Sequence, residues 1–211
     1  MIRRPPRSTP SNSSAASDVY KRQVKAIAAP NYEDDALQEL RRADWGAQLR
    51  VLRVTLKGRR EGDLRGVTGG LLAQNRDVVG FIPQTNRITT EAQPSEEQTA
   101  DLRFAWLCVK HATSAAVVAA KDGAMLGAGT GQVVRRDAFE LALRKAGDNI
   151  RGAVLASDGP LYCTEVVEMA ARHGASAIIQ PGGVDEDESV VRAADRLGII
   201  MVLTGTRHLR H

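Results

Sequence analysis

Aromatic residues make up 4% of this 211-residue chain, too few for the ladder of rings on which single-stranded nucleic acid stacks. Cysteine is rarer. Cys108 and Cys163 stand far apart with no metal-ligand spacing around either, so they read as reduced, half-buried residues of a cytosolic protein. No apolar run approaches the roughly 18 residues needed for a membrane span. An excess of positive charge is also missing where it would matter. The formal net charge is +4, yet five basic residues (Arg3, Arg4, Arg7, Lys21 and Arg22) and one acid, Asp18, lie within residues 1–23, and the rest of the chain balances at 24 of each sign. A phosphate-backbone binder thereby loses its main support.

What remains is an ordinary globular composition, 43% hydrophobic and 26% charged, long enough for one large domain or two small ones with a real core. Residues 1–23 are different. They hold Pro5, Pro6, Pro10 and five serines with no amphipathic period. A disordered tail and a transit peptide are two readings, although the prolines spoil the helix that a transit peptide forms. The favoured reading is a translated sequencing adapter, which would make Val24 the point where a longer protein was cut.

From Val24 the pattern is regular. Strands are expected at Val24–Ala29, Gln48–Leu56 and Val67–Gln74, and a helix at Glu33–Ala43 with acids in its first turn and arginines in its last. Ser95-Glu96-Glu97-Gln98 has the capping-box pattern and opens a helix whose Leu102, Ala105, Trp106 and Val109 share a face. Val117–Ala120 and Met125–Ala128, joined by Lys121-Asp122-Gly123, read as a tight hairpin. The last third gives strand Ala153–Ala156, helix Thr164–His173, strand Ala175–Ile179, helix Glu186–Leu197 and strand Ile199–Leu203, with Gly174 and Gly198 ending the helices. Such alternation predicts right-handed βαβ units on a parallel or mixed sheet. On such sheets ligands sit at the carboxyl ends of the strands, where Ser157-Asp158, Pro181-Gly182-Gly183 and Thr204–His211 fall, with Gly129–Gln132 a possible fourth.

The hairpin runs through Gly127-Ala128-Gly129-Thr130-Gly131-Gln132 into a helix over Arg135–Ala146, with Phe139, Ala142, Leu143 and Ala146 on one face. Two readings of the glycines stand side by side. Backbone N–H groups free of Cβ obstruction could face an anion at the helix start, beside Arg135 and Arg136; or the glycines allow close packing at a bend. The run lacks both the dinucleotide fingerprint and a Walker lysine. His111 and His173 fall at helix ends, where a histidine commonly helps terminate the helix. Asp158 reads as a site acid or as a cap for the next helix. Asp185–Glu188 reads as a solvated helix start, not a metal site. Arg207, near the end of the last strand, reads as a binding residue, since a guanidinium suits a phosphate.

In order, GGLLAQNRD, AKDG, GAGTGQVVR, LASD, IIQPGG and the terminal TGTRHLRH resemble the C-terminal half of the transformylase domain of the bifunctional AICAR transformylase/IMP cyclohydrolase family of purine biosynthesis. The resemblance runs from about Val24 to the last residue. It implies a cytidine-deaminase-like layered α/β fold with a mixed sheet. Residues 24–94 would be the partial end of a first transformylase subdomain plus connection, and 95–211 a second, cytidine-deaminase-like subdomain. It further implies a cytoplasmic homodimer that moves a formyl group from 10-formyltetrahydrofolate, a co-substrate and not a bound cofactor, to the amine of AICAR without a metal. No nucleic acid or membrane partner is implied.

Carried over residue by residue, the family pattern assigns nucleotide binding to Arg135 and Arg207, and folate binding to Arg136, Glu165, Gly182 and Gly183. It has departures. The Lys-His pair lies outside these residues (Lys110-His111 belongs to a different segment), and Ala115 stands where the family has a catalytic asparagine. The serine of GQxSR is Val134, and SDAFFPFRD becomes Ser157-Asp158-Gly159-Pro160-Leu161-Tyr162-Cys163-Thr164-Glu165. The expectation is a fragment of the transformylase that is inactive alone. A diverged, non-catalytic nucleotide-binding or scaffold paralogue is the alternative, and a nucleotide-dependent oxidoreductase built on the GxGxG run is a distant third.

Overall fold

The computed structural model describes residues 25–43, 46–55 and 62–210; the reading of residues 1–23 lies outside them. Two compact units divide between Asn75 and Arg76. In the first, β1 (Ala26–Ala29) and β2 (Arg50–Arg53) pair in parallel, with α1 (Asp34–Arg42) between them in sequence. The Tyr32 hydroxyl lies 2.9 Å from the Ile27 carbonyl and 3.0 Å from that of Leu52, tying the two strands together. β2 starts later than the expected Gln48, because Gly46–Gln48 forms a 3-10 turn; the expected end, Leu56, lies outside the described residues.

The strand expected at Val67–Gln74 is instead a hairpin of β3 (Gly62–Val67) and β4 (Gly70–Asn75). Thr68-Gly69 make its turn, and Gly69 adopts φ +86°, a left-handed conformation that costs a glycine little.

The second unit holds a six-stranded mixed sheet in the order β5-β10-β9-β8-β6-β7. Its strands are β5 (Arg87–Ile88), β6 (Val117–Lys121), β7 (Ala124–Gly129), β8 (Val154–Ser157), β9 (Ala177–Gln180) and β10 (Ile200–Leu203). β8, β9 and β10 run parallel, while β5, β6 and β7 each pair antiparallel with their neighbours. Residues 76–94, grouped with 24–75 in the sequence reading, fall in the second unit and supply the edge strand β5 to this sheet.

Helices cover both faces. α2 (Glu96–Val109) starts with a complete capping box between Ser95 and Gln98 and buries Leu102, Ala105, Trp106 and Val109 against Val118, Ala156 and Ile179. α3 (Arg135–Ala146), α4 (Glu165–His173) and α5 (Asp187–Leu197) cover the other face, where Phe139, Leu143, Val167 and Val190 meet Leu155, Ile178 and Met201. Burying each of these large apolar side chains contributes roughly 1.5–3 kcal/mol. Gly174 and Gly198 end α4 and α5 in the left-handed conformation, as a Schellman-type stop requires. The β6–β7 turn is pinned to α2, because the buried Asp101 carboxylate accepts the N–H groups of Asp122 (2.9 Å) and Gly123 (2.8 Å).

Candidate functional site

Strand direction decides which loops meet. The parallel β8, β9 and β10 end at Ser157, Gln180 and Leu203, and Val117 at the start of β6 lies opposite both Ser157 and Gly129. Residues 113–116, 129–134, 158–164, 181–186 and 204–210 therefore share one edge of the sheet. Gly129–Gln132 do join the carboxyl-end loops.

The glycines there serve packing. A Cβ at Gly129 would stand 2.8 Å from the Ala138 carbonyl carbon, and one at Gly127 the same distance from the Ala146 nitrogen. α3 thus lies directly on the backbone of β7. Nor do the loop's N–H groups face outward, because Gly131 N–H donates to Thr113 O (2.6 Å) and Gln132 N–H to Ala115 O (3.2 Å). Of the two readings of the glycine run, close packing accounts for the geometry.

Arg135, the first residue of α3, does not point at open solvent. Its Nη1 donates to Asp158 Oδ1 and, at 3.0 Å, to Ser157 Oγ. Its side chain is 17% exposed, while that of Asp158 is fully buried. Asp158 caps no helix; α4 begins at Glu165 after Thr164, with no side-chain cap bond. The cap reading of Asp158 is corrected: its carboxylate is the counter-ion of Arg135, and its Oδ2 has no hydrogen-bond partner.

A second cluster was not anticipated. His208 is buried, with Nδ1 2.5 Å from Asp77 Oδ2 and its ring packed against Trp106 at a centroid distance of 4.5 Å and a tilt of 49°. Lys110 joins through Asp77 Oδ1 at 3.7 Å and donates to Val79 O at 2.6 Å. Burial pushes the His208 imidazole below the ordinary histidine range; Asp77 opposes that shift and Lys110 adds to it. The ring is therefore neutral near pH 7, donating from Nδ1 to Asp77 and leaving Nε2 an unpartnered acceptor. His208 N–H donates to Asp158 O (3.0 Å), and Ser114 N–H to Arg210 O (2.8 Å), so the C-terminal strap 204–210 is sewn across the strand ends. His208 lies inside TGTRHLRH and Asp77 inside GGLLAQNRD, and no spacing in the sequence links the two segments.

The other residues expected at the site fall as follows. Arg136 and Glu165 come together, 3.7 Å apart and both exposed. Gly182 and Gly183 adopt φ +67° and +84°. Their N–H groups donate to Gln180 Oε1 (2.8 Å) and Asp187 Oδ2 (2.7 Å). Arg207 is exposed in the strap, and its side chain makes no hydrogen bond or ion pair among the described residues. Ala115 is half-buried, its N–H donating to Gln132 O at 3.1 Å. His173 Nδ1 meets Met169 O at 2.8 Å, closing its helix end, and the exposed His111 donates its N–H to Cys108 O and accepts Arg210 Nη1 at its carbonyl. No group of His, Cys, Asp or Glu among the described residues is arranged to hold a metal ion. The first unit has a pocket of about 190 Å³ lined by Leu37, Leu40, Arg41, Gly46, Leu49 and Val51, which offers no acid, base or nucleophile.

Comparison with known proteins follows the same residues. The family model for the AICARFT/IMPCHase bienzyme matches residues 8–145, more than half of the chain and beginning within the segment 1–23. The "Bifunctional purine biosynthesis protein PurH" of Thermoanaerobacter sp. strain X514 is 40% identical over 93% of this chain and 38% of its own length. The proteins of the same description from Deinococcus deserti (42% identical, 89% of this chain, 37% of that protein) and Bacillus subtilis strain 168 (40%, 89% and 36%) behave alike. The chain thus spans little more than a third of the relatives it matches. Among solved structures, Acinetobacter baumannii RibD, form 2, superimposes with a TM-score of 0.38 at 18% identity, over 52% of this chain and 36% of that one.

Proposed function

The chain belongs to the AICARFT/IMPCHase bienzyme family, and from that premise we propose that it is the nucleotide- and folate-binding wall of a formyltransferase that converts AICAR with 10-formyltetrahydrofolate. The observation that carries this reading is the convergence of its motif segments, GTGQVVR, SDG, QPGG and TRHLR, on one edge of the mixed sheet. In the whole protein we expect a cytoplasmic homodimer. Arg207 is the arginine available to a phosphate, and Arg136, Glu165 and the Gly182-Gly183 turn are the residues offered to the folate.

Formyl transfer needs the amine, a proton acceptor and the donor in one near-attack geometry, and a missing member is not replaced by the others. The family's Lys-His pair is not among these residues, and His208 is enclosed between Trp106 and Asp77. The 211-residue chain alone is therefore expected to give no measurable release of tetrahydrofolate by absorbance. Binding of AICAR should survive in weakened form and fall about tenfold or more in Arg207→Ala, since charge-assisted contacts contribute roughly 1.5–3 kcal/mol. Turnover by the chain alone, or unchanged calorimetric affinity in that variant, would count against this assignment.

The loop Pro160–Glu165 favours a second reading. Its family aromatics are gone while Tyr162 and Cys163 stand exposed, which suits a paralogue that binds a nucleotide without transferring anything. Adding an upstream half with an intact Lys-His pair, with and without Ala115→Asn, separates the two: turnover in either setting supports the enzyme.

A further inference from the structure

The arginine that begins α3 has the attributes of an anion ligand, yet an anion built into the chain already occupies it. Arg135 stands at a helix N-terminus whose Val134 cap makes no side-chain bond, where partial positive charge favours an anion. That anion is Asp158, fully buried one residue beyond β8. The arrangement needs Gly159. A Cβ there would stand 2.8 Å from the Arg135 Cζ and closer still to Nη2, so the guanidinium lies in the space that a side chain would fill. Ser157 completes the seat: its hydroxyl accepts from Arg135 and donates to Gly159 O at 2.8 Å.

We propose that Asp158 is a specificity-determining residue that competes, from within the chain, with any bound anion for Arg135. The pair is neutral overall, and the second carboxylate oxygen, buried and unpartnered, repels a phosphate approaching the same guanidinium. A phosphate-bearing ligand gains Arg135 only by drawing it off Asp158 and leaving a buried carboxylate uncompensated. The standing anion affinity of this edge falls to Arg207. Arg135 has a route outward, being partly exposed beside Val133 and Val134, both open to solvent.

The inference rests on the reading that this edge takes a nucleotide, and two probes keep the two ideas apart. Calorimetry with AICAR and with inorganic pyrophosphate is run on the unaltered chain, Asp158→Asn, Gly159→Ala and Asp158→Asn combined with Arg135→Met, each checked for its melting midpoint. Asp158→Asn removes the competing charge and keeps the shape. It is expected to bind pyrophosphate about tenfold more tightly, and the added Arg135→Met to abolish the gain. Gly159→Ala, which displaces the guanidinium without touching the carboxylate, is expected to move affinity the same way by a smaller factor. A gain for pyrophosphate with no binding of AICAR by any form leaves the competition standing and removes the nucleotide reading. Equal affinity for both probes in the unaltered chain, Asp158→Asn and Gly159→Ala, or a gain that persists in Arg135→Met, overturns it. So does absence of pyrophosphate binding in every form.

Discussion

Arg135 and Asp158 are unequal partners, and their separate removal should show it. Replacing Arg135 with Met keeps most of the stem that packs at the start of α3 and removes the charge. It strands a carboxylate with no exposed surface, whose second oxygen already has no hydrogen-bond partner. Breaking a buried pair from that side costs about 3–5 kcal/mol. Replacing Asp158 with Asn strands the guanidinium instead, but Arg135 retains Ser157 and can turn toward water. The expected cost is about 1–2 kcal/mol, near that of one charge-assisted hydrogen bond after relaxation. The double variant buries no net charge, so it should cost less than the sum of the two, with a coupling of roughly 1.5–3 kcal/mol. Urea unfolding reads all four forms through Trp106, which is buried in the second unit, in a Trp45→Phe background. Equal costs for the two single variants, or additive costs in the double, would refute the asymmetry and with it the placement of Asp158 as a buried counter-ion.

Gly129→Ala should destabilise the second unit by about 1–3 kcal/mol, because the added methyl meets the α3 backbone at Ala138 and not a side chain that could step aside; thermal melting checks it. His208 sets a dependence on acid. Its folded pKa lies below the ordinary value, so between the two the unfolded chain binds more protons and stability rises with pH. Stability is therefore complete above about pH 6.5 and lost on acidification toward the depressed pKa, with a slope of at most about 1.4 kcal/mol per pH unit. Melting midpoints from about pH 7.5 to about pH 5.5 should fall less in His208→Asn than in the unaltered chain, and an equal fall in both would remove His208 as the cause.

The parts legible in the sequence are those fixed by local chemistry. The capping box at Ser95, the Lys121-Asp122-Gly123 turn, the glycine stops at 174 and 198 and the apolar face of α3 each follow from a few neighbouring residues, and each is present. The β3–β4 hairpin was missed because Gly69-Gly70 sit inside a run of apolar residues that reads as continuous, and only pairing with Gly62–Val67 reveals the turn. The site was legible as a place and not as a set of contacts. Asp158 looked like a cap because its partner lies 23 residues away on another element, and Asp77 finds His208 across 131 residues. No local pattern reports such pairs.

The contacts at this edge have one feature in common. Arg135 is satisfied by Asp158, Arg136 by Glu165, Lys110 by Asp77 and Val79, and Arg210 by the carbonyl of His111. The N–H groups of Gly131, Gln132, Gly182 and Gly183 are likewise taken by carbonyl or side-chain oxygens of the same chain. Except at Arg207, a ligand entering here exchanges one partner for another, and such exchanges yield little net free energy per contact unless the displaced group can reach water. Arg135, Arg136 and the exposed Gly183 turn have solvent beside them; Asp158, Gln180 and His208 do not. Binding should therefore rearrange the rim of the site and leave its floor unchanged. Hydrogen exchange with AICAR present would show that as altered protection in 131–136 and 181–187 with none in 154–158.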